Sequence, residues 1–281
     1  MTAGASVTAD PLPPGARVAL PCHFGEWLQG RIGPAGPVGL VTLLPAVTGL
    51  AGQRRAGALA ACRFGQGAGL IPLPRLRRFL NDLGLPPKGR YLLKPRFVPG
   101  SGTGMSTASL LAVARLAGYA GPRGCLVRAC LRAEGASDPL MLDHPDRHLW
   151  ASRQGEVLMG LPPPPRAELL VGFWGPPERT RAEDCDYADI SDLVSDWSNA
   201  PGLAGCAALA SESARRCQAR RGPASDPTAD LARALGALGF ARSHSGPARA
   251  LIFAPGSVPP EGPQILRAAG YTGVERLATA T

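Results

Sequence analysis

The residues with the clearest chemical content lie between Pro99 and Thr107, in the run PGSGTGMST. Gly100, Gly102 and Gly104 alternate with Ser101 and Thr103, and an Ala/Leu-rich stretch begins after Met105. Glycine lets a backbone take positive φ and come close to a ligand. Amides at the start of a helix point outward and, with the helix dipole behind them, favour an anion. The chemistry this pattern suits is main-chain phosphate binding, with the Ser106 and Thr107 hydroxyls available to a phosphate oxygen or a magnesium ion. Met105 stands where a Walker loop would place lysine, and no acidic residue follows a second strand as a dinucleotide fingerprint requires. A tight strand-to-helix turn is the plain alternative.

Phosphoryl transfer to an alcohol also needs a metal bridging the phosphates, a positioned hydroxyl and a destination for its proton. The segment LRAEGASDPLMLDHPDR supplies Glu134 at the end of a helical pattern and Asp138 four residues on. Helix-end capping is their other reading. In CHFGEWLQGRI (Cys22–Ile32), Glu26 and Gln29 suit the ammonium and carboxylate of an amino acid, or a nucleotide; polar residues on a strand edge facing water are the alternative. In SHSGPARALIFAP (Ser243–Pro255), His244, Ser245 and Gly246 form either a loop that closes over substrate or γ-phosphate, or a turn into a strand. His23, Asp143, His144 and His148 lack helical H-x-x-x-H spacing and read as solvated loop residues rather than metal ligands.

Together these motifs resemble the GHMP kinases, the superfamily of galactokinase, homoserine kinase and mevalonate kinase. PGSGTGMSTAS resembles their glycine-rich phosphate motif. CHFGEWLQGRI is similar to the N-terminal signature of the L-threonine kinases of cobalamin synthesis: Gly25-Glu26 and Gln29-Gly30 match, and Phe24 departs. SHSG is similar to a glycine motif of the same subfamily. The resemblance implies a ribosomal S5 domain 2-like N-terminal lobe, a ferredoxin-like C-terminal lobe and a left-handed βαβ crossover, against the usual hand. It implies ATP between the lobes, with Pro99 to Thr107 around its phosphates, and Mg2+ held by Ser106 and Glu134. Asp138 would orient the threonine hydroxyl or take its proton, and Glu26, Gln29, His244, Ser245 and Gly246 would contact substrate. The stretch Glu134-Gly135-Ala136-Ser137-Asp138 is one residue longer than the expected Glu-Pro-Ser/Thr-Asp, so Ser137 competes with Asp138 for the family's position. Homoserine or another small alcohol is the alternative acceptor. A non-catalytic nucleotide- or RNA-binding S5-like protein is the alternative of another class.

The elements that must position these residues follow from periodicity and punctuation. ARVALPC (Ala16–Cys22), PVGLVTLLPAV (Pro37–Val47), GALAACRF and RYLLKPRFVP read as strands. LPRLRRFLNDLGL places Leu73, Leu76, Leu80 and Leu83 at helical spacing, with arginines between them. A helix of about four turns follows the glycine run, then CLVRACLRAEG as a second helix. LPPPPR beyond Gly160 reads as a connector. AELLVGFWG and ARALIFAPG read as strands, and the acidic stretch Asp184–Asp196 as a helix with a solvated face. Two more helices follow, the second with Asp226 as N-cap and Pro227 at its first position. A β-rich first half and a helix-rich second half predict an α+β fold in two lobes, residues 16–160 and 161–281, after a loose tail over 1–15.

Composition sets the bounds. The chain has 281 residues, 45% of them hydrophobic, which suffices for a sizeable core. Its formal charge of +9 is almost all arginine, since Lys88 and Lys94 are the only lysines. No run of like charge and few aromatics accompany it, which argues against a nucleic-acid partner; ATP and a small amino-acid substrate are the partners that the resemblance implies. Seven cysteines, an odd number with no C-x-x-C pair, fit a reducing cytoplasm. The N-terminus lacks the features of a signal peptide and no apolar run reaches membrane-spanning length, so no membrane association is expected.

Overall fold

The structure, a computed structural model, describes residues 12–13, 15–64, 69–178, 183–184, 186–199, 202–223 and 225–280. Most of the expected tail over 1–15, and Cys185, lie outside the described residues. The first half runs β1 (Arg17–Pro21), β2 (Glu26–Arg31), β3 (Val38–Thr42), β4 (Thr48–Arg55), β5 (Ala60–Arg63), α1 (Leu73–Asp82), β6 (Arg90–Pro95), α2 (Met105–Leu116) and α3 (Arg123–Glu134). It continues through β7 (His148–Ala151), β8 (Glu156–Gly160), β9 (Glu168–Phe173), α4 (Ser191–Trp197), α5 (Gly202–Arg221), α6 (Thr228–Ala234), β10 (Gly239–Arg242), β11 (Ala248–Phe253), α7 (Gly262–Ala268) and β12 (Thr272–Ala278).

These strands make two sheets. A four-stranded sheet has the order β1-β4-β6-β5, antiparallel except for the β5–β6 pair, whose parallel connection carries α1. An antiparallel eight-stranded sheet has the order β12-β9-β11-β10-β2-β3-β7-β8. Its two halves meet where β2 pairs with β10, at Glu26 opposite Arg242.

The helices lie where their patterns direct them. On α1, Leu76, Phe79 and Leu80 face inward while the arginines stay outside, and the helix packs on α3 and β5. Almost every residue of α2 is buried, against β4, β1 and β6 on one side and α3 on the other. That suits a sequence with no charge before Arg115. Each fully buried leucine there contributes about 1.5–3 kcal/mol. The glycine loop therefore opens a helix that is anchored along its length. The longest helix, α5, covers β10 and β2.

Several expectations change. The second half is richer in helix than in strand, as expected, yet β9 to β12 also supply half of the large sheet. β10 has only four residues, too short for a period to declare itself, and β12 buries only Val274 and Leu277, three residues apart, around two charges. The acidic stretch is helical only from Ser191, and Asp184, Asp186 and Asp192 meet Arg221, Arg220 and Arg216 of α5 rather than water alone. α6 begins at Thr228, so Pro227 occupies the N-cap position; Asp226 still serves the helix end, accepting from the Thr228 amide at 3.0 Å.

Candidate active site

The three sequence motifs meet at one cavity of about 270 Å³ between the start of α2, the α3–β7 connection and the loop after β10. The glycine loop leaves β6 and enters α2 with positive φ at Gly100, Gly102 and Gly104. At Gly104 the reason is steric as well as conformational, because a Cβ would stand 2.6 Å from His23 Cδ2. Gly104 is also the N-cap, and no side chain caps the helix. The first helical bond runs from the Ala108 amide to the Gly104 carbonyl at 2.9 Å. The amides of Met105, Ser106 and Thr107 are thus left to point out of the helix end, the arrangement that receives an anion.

Two other loops clamp this one. The His23 amide donates to the Thr103 carbonyl at 3.3 Å and the Ala248 amide to the Ser101 carbonyl at 3.1 Å. Gly246, with φ 96°, lies so close that a Cβ there would come within 2.7 Å of the Gly100 carbonyl oxygen. Pro99, Gly100, Gly102, Thr103, Gly104, Met105, Ser106 and Thr107 line the cavity. Ser101 does not; it is buried behind the loop, its hydroxyl 2.9 Å from that of Thr103.

Two acids face the helix start. Ser106 Oγ donates to Glu134 Oε1, and Arg75 Nη1 lies 3.6 Å from the same oxygen. Thr107 Oγ1 donates to Asp138 Oδ2 at 3.1 Å and receives the Asp138 amide at 3.2 Å. The segment between them is fixed from behind. Trp150 Nε1 donates to the Ser137 carbonyl at 2.6 Å, and the Ser137 amide donates to the Ser152 carbonyl at 2.9 Å. Ser137 is buried, and it is the Asp138 side chain that engages α2. The Ser106 hydroxyl and the Glu134 carboxylate are adjacent hard oxygen donors, the set magnesium takes beside substrate phosphates.

Behind Asp138 lies a buried triad. His23 Nε2 is 3.4 Å from Asp138 Oδ1, and His23 Nδ1 is 3.3 Å from Glu26 Oε1. His23 is 3% exposed and Glu26 1%. Burial works against the imidazolium, but the Glu26 and Asp138 carboxylates outweigh it and raise the His23 pKa to about 9. Burial raises Glu26 to about 8, with the Asp138 charge adding and His23 opposing. Burial also acts on Asp138, yet the charge and hydrogen bond of His23, with the Thr107 hydroxyl, hold it below the usual carboxylate range. The three groups titrate as a coupled set in which Asp138 favours its anion and His23 its cation.

His23 is therefore a correction: it is a buried wall of the cavity, not a solvated loop residue. His148 is half-buried in β7, and Asp146 beside it is buried. Glu26, His244 and Ser245 line the cavity, and Gly246 holds their loop against the glycine turn. Gln29 does not line it. Its side-chain amide donates to the Arg242 carbonyl at 2.8 Å and its backbone amide to Ser213 Oγ at 2.8 Å, so it ties β2 to β10 and α5. Sequence reasoning also passed over Arg75 and Arg153, two arginines of the lining. Neither lies in a motif, and only the adjacency of His23 to Gly25-Glu26 offered any signal.

No family profile and no curated protein sequence matches the chain. Solved structures do. A homoserine kinase from Cytophaga hutchinsonii aligns over 94% of this chain and 95% of its own, with a TM-score of 0.57 and 16% identity. The mevalonate kinase of Methanococcus jannaschii aligns over 96% and 100%, with a TM-score of 0.61 and 9% identity. A phosphotransferase related to the CoA biosynthesis pathway aligns over 94% and 95%, with a TM-score of 0.61 and 13% identity. At these identities, and over nearly the whole length of each partner, the chain has the two-sheet α+β fold of the GHMP-type kinases.

Proposed function

We propose that this protein is an ATP-dependent small-molecule kinase of the GHMP type that phosphorylates the hydroxyl of L-threonine, giving O-phospho-L-threonine for cobalamin synthesis. The observation that carries the reading is the convergence on one cavity of the open α2 amides, the Ser106–Glu134 oxygen pair and the Asp138 carboxylate. The L-threonine acceptor is supported by the CHFGEWLQGRI motif, whose Glu26 lines that cavity. The free cysteines among the described residues suit the cytoplasm as its location.

In this reading the Met105, Ser106 and Thr107 amides receive the triphosphate, and Ser106 with Glu134 holds magnesium. Bound magnesium would neutralise phosphate charge. Asp138, fixed by Thr107 and His23, accepts a hydrogen bond from the acceptor hydroxyl and takes its proton late in transfer. A low-pKa carboxylate is adequate there, because a loose phosphoryl-transfer transition state asks little of a base. A substrate ammonium beside Glu26 would draw that buried carboxyl toward its ionised form. Catalysis is then mostly positioning and charge complementarity.

A coupled ADP-release assay over L-threonine, L-homoserine, mevalonate and neutral small alcohols tests the reading. Acceptor-dependent ADP release, greatest with L-threonine, is expected. Glu134→Gln should lower kcat by about 100- to 1,000-fold, with thermal unfolding little changed, and Asp138→Asn by about 100-fold or more, with some loss of stability because His23 loses its partner. No acceptor-dependent turnover, together with salt-sensitive RNA binding, would overturn it in favour of a binding protein.

A further inference from the structure

One cation in the cavity has no ion-pair partner among the described residues. Arg153 lies in the turn between β7 and β8, half-buried, and lines the pocket. Among the described residues no carboxylate reaches ion-pair distance of its guanidinium. Its hydrogen bonds go only to neutral acceptors: Nη1 to Ser152 Oγ and to His244 Nε2, both at 2.8 Å, and Nη2 to the Asp184 carbonyl at 3.2 Å. Its Nε is buried with no hydrogen-bond partner. A guanidinium never deprotonates in a protein, so the charge remains, and a desolvated charge without an anion is costly.

The guanidinium is also held rigidly. Because Nε2 of His244 accepts from Arg153, the ring proton of the neutral histidine sits on Nδ1. Burial and the neighbouring Arg153, Arg221 and Arg242 charges push the His244 pKa well below its ordinary value, so the ring stays an acceptor. Tyr187 stacks on it, with centroids 4.1 Å apart and planes within 5°. Arg153 and Arg221 both lie over the Tyr187 ring, at 5.4 and 4.3 Å. Arg221 has its own anion in Asp184. The Arg153 charge is felt by Asp138, the acid placed at the acceptor hydroxyl. The phosphates, by contrast, already have the α2 amides.

We propose that Arg153, braced by His244 and Tyr187, anchors the carboxylate of the acceptor, so that the site selects a hydroxylated acid over a neutral alcohol. The inference rests on the kinase reading above and adds the residue that would hold the acceptor's carboxylate. A guanidinium pairs with carboxylate and phosphate by the same hydrogen-bond geometry, so the test separates acceptor from nucleotide.

Titration calorimetry would compare wild type, Arg153→Met and Arg153→Lys. Ligands are L-threonine and L-threonine amide, each with AMP-PNP and magnesium present, and AMP-PNP alone. Wild type should bind the acid about 10- to 100-fold more tightly than the amide, the worth of a charge-assisted hydrogen bond. Arg153→Met should erase that preference and leave AMP-PNP affinity unchanged, while Arg153→Lys retains part of it. Wild type indifferent to acid or amide would overturn the proposal. So would Arg153→Met that keeps the preference, or one that loses AMP-PNP affinity instead. Should Arg153→Met not fold, the wild-type ratio and its reduction in Arg153→Lys decide. ADP release measured on the same ligands distinguishes the two readings: acid-selective binding without turnover sinks the kinase and leaves the anchor standing.

Discussion

His23 shows how burial between two carboxylates changes what a histidine does. Unfolded, it titrates near 6.5; folded, its pKa is about 9. Its contribution to stability is fully present below pH 6.5 and is lost as pH rises through 9. Glu26 acts in the same sense, since it ionises near 4.5 unfolded but only at about 8 folded. Asp138, held low, works the other way, losing its contribution as the solution turns acid. The urea midpoint of the wild type should therefore fall between pH 6.5 and 9, and His23→Gln should flatten part of that fall. A wild-type midpoint that rises over this window would contradict the assigned triad. None of this was legible from residue types, because His23 and Asp138 are far apart in the chain and no spacing rule links them. Glu134 and Asp138 were legible as candidates because one ends a helix pattern closed by Gly135 and the other lies four residues on.

At the scale of elements, the glycine turn is held by its neighbours as well as by its own hydrogen bonds. Gly246 and Gly256 both have positive φ, at 96° and 79°. An alanine Cβ would meet Gly100, Ser101 and Gly102 backbone at position 246 but nothing within 4 Å at 256. Both substitutions should cost about 1–2 kcal/mol in backbone strain, read from urea unfolding. Only Gly246→Ala should also displace the glycine turn and weaken AMP-PNP binding; equal nucleotide affinity in the two variants would mean that the loop contact is incidental. α1, α2 and α5 were readable from their patterns. β10 and β7, with four residues each, were not, because a period needs more residues than they have. Gln29 belongs here too. It reads as a ligand group in its motif, but the pairing of β2 with β10 spends its amide on the Arg242 carbonyl.

Across the whole molecule, the eight-stranded sheet places Glu26 of β2 at the seam with β10, and the loop after β10 carries His244 to the cavity. The outer side of that half is tied by a buried ion pair. Arg249 on β11 and Asp226 before α6 lie 2.8 Å apart, with side chains 3% and 5% exposed. Burial alone would raise the Asp226 pKa, but Arg249 and the Thr228 hydrogen bonds hold it down, so its contribution is lost as pH falls. Asp226→Ala leaves a buried guanidinium without its anion and should cost about 3–5 kcal/mol in urea unfolding at neutral pH. A loss below about 1 kcal/mol would show that water replaces the carboxylate.

The chain's local order determined the positive-φ turn over Gly100–Thr107 with its open amides, the helix that backs it and the helix-end placement of Glu134. Each depends on neighbouring residues: positive φ, free amides and helical period are properties of a few consecutive positions. Only the tertiary structure decided that His23 lies between Glu26 and Asp138, that Gln29 ties β2 to β10 and that Arg153 faces the cavity with no ion pair among the described residues. Those outcomes depend on burial and charge contributed by segments far apart in sequence, and sheet register, not local pattern, brings them within a few ångströms.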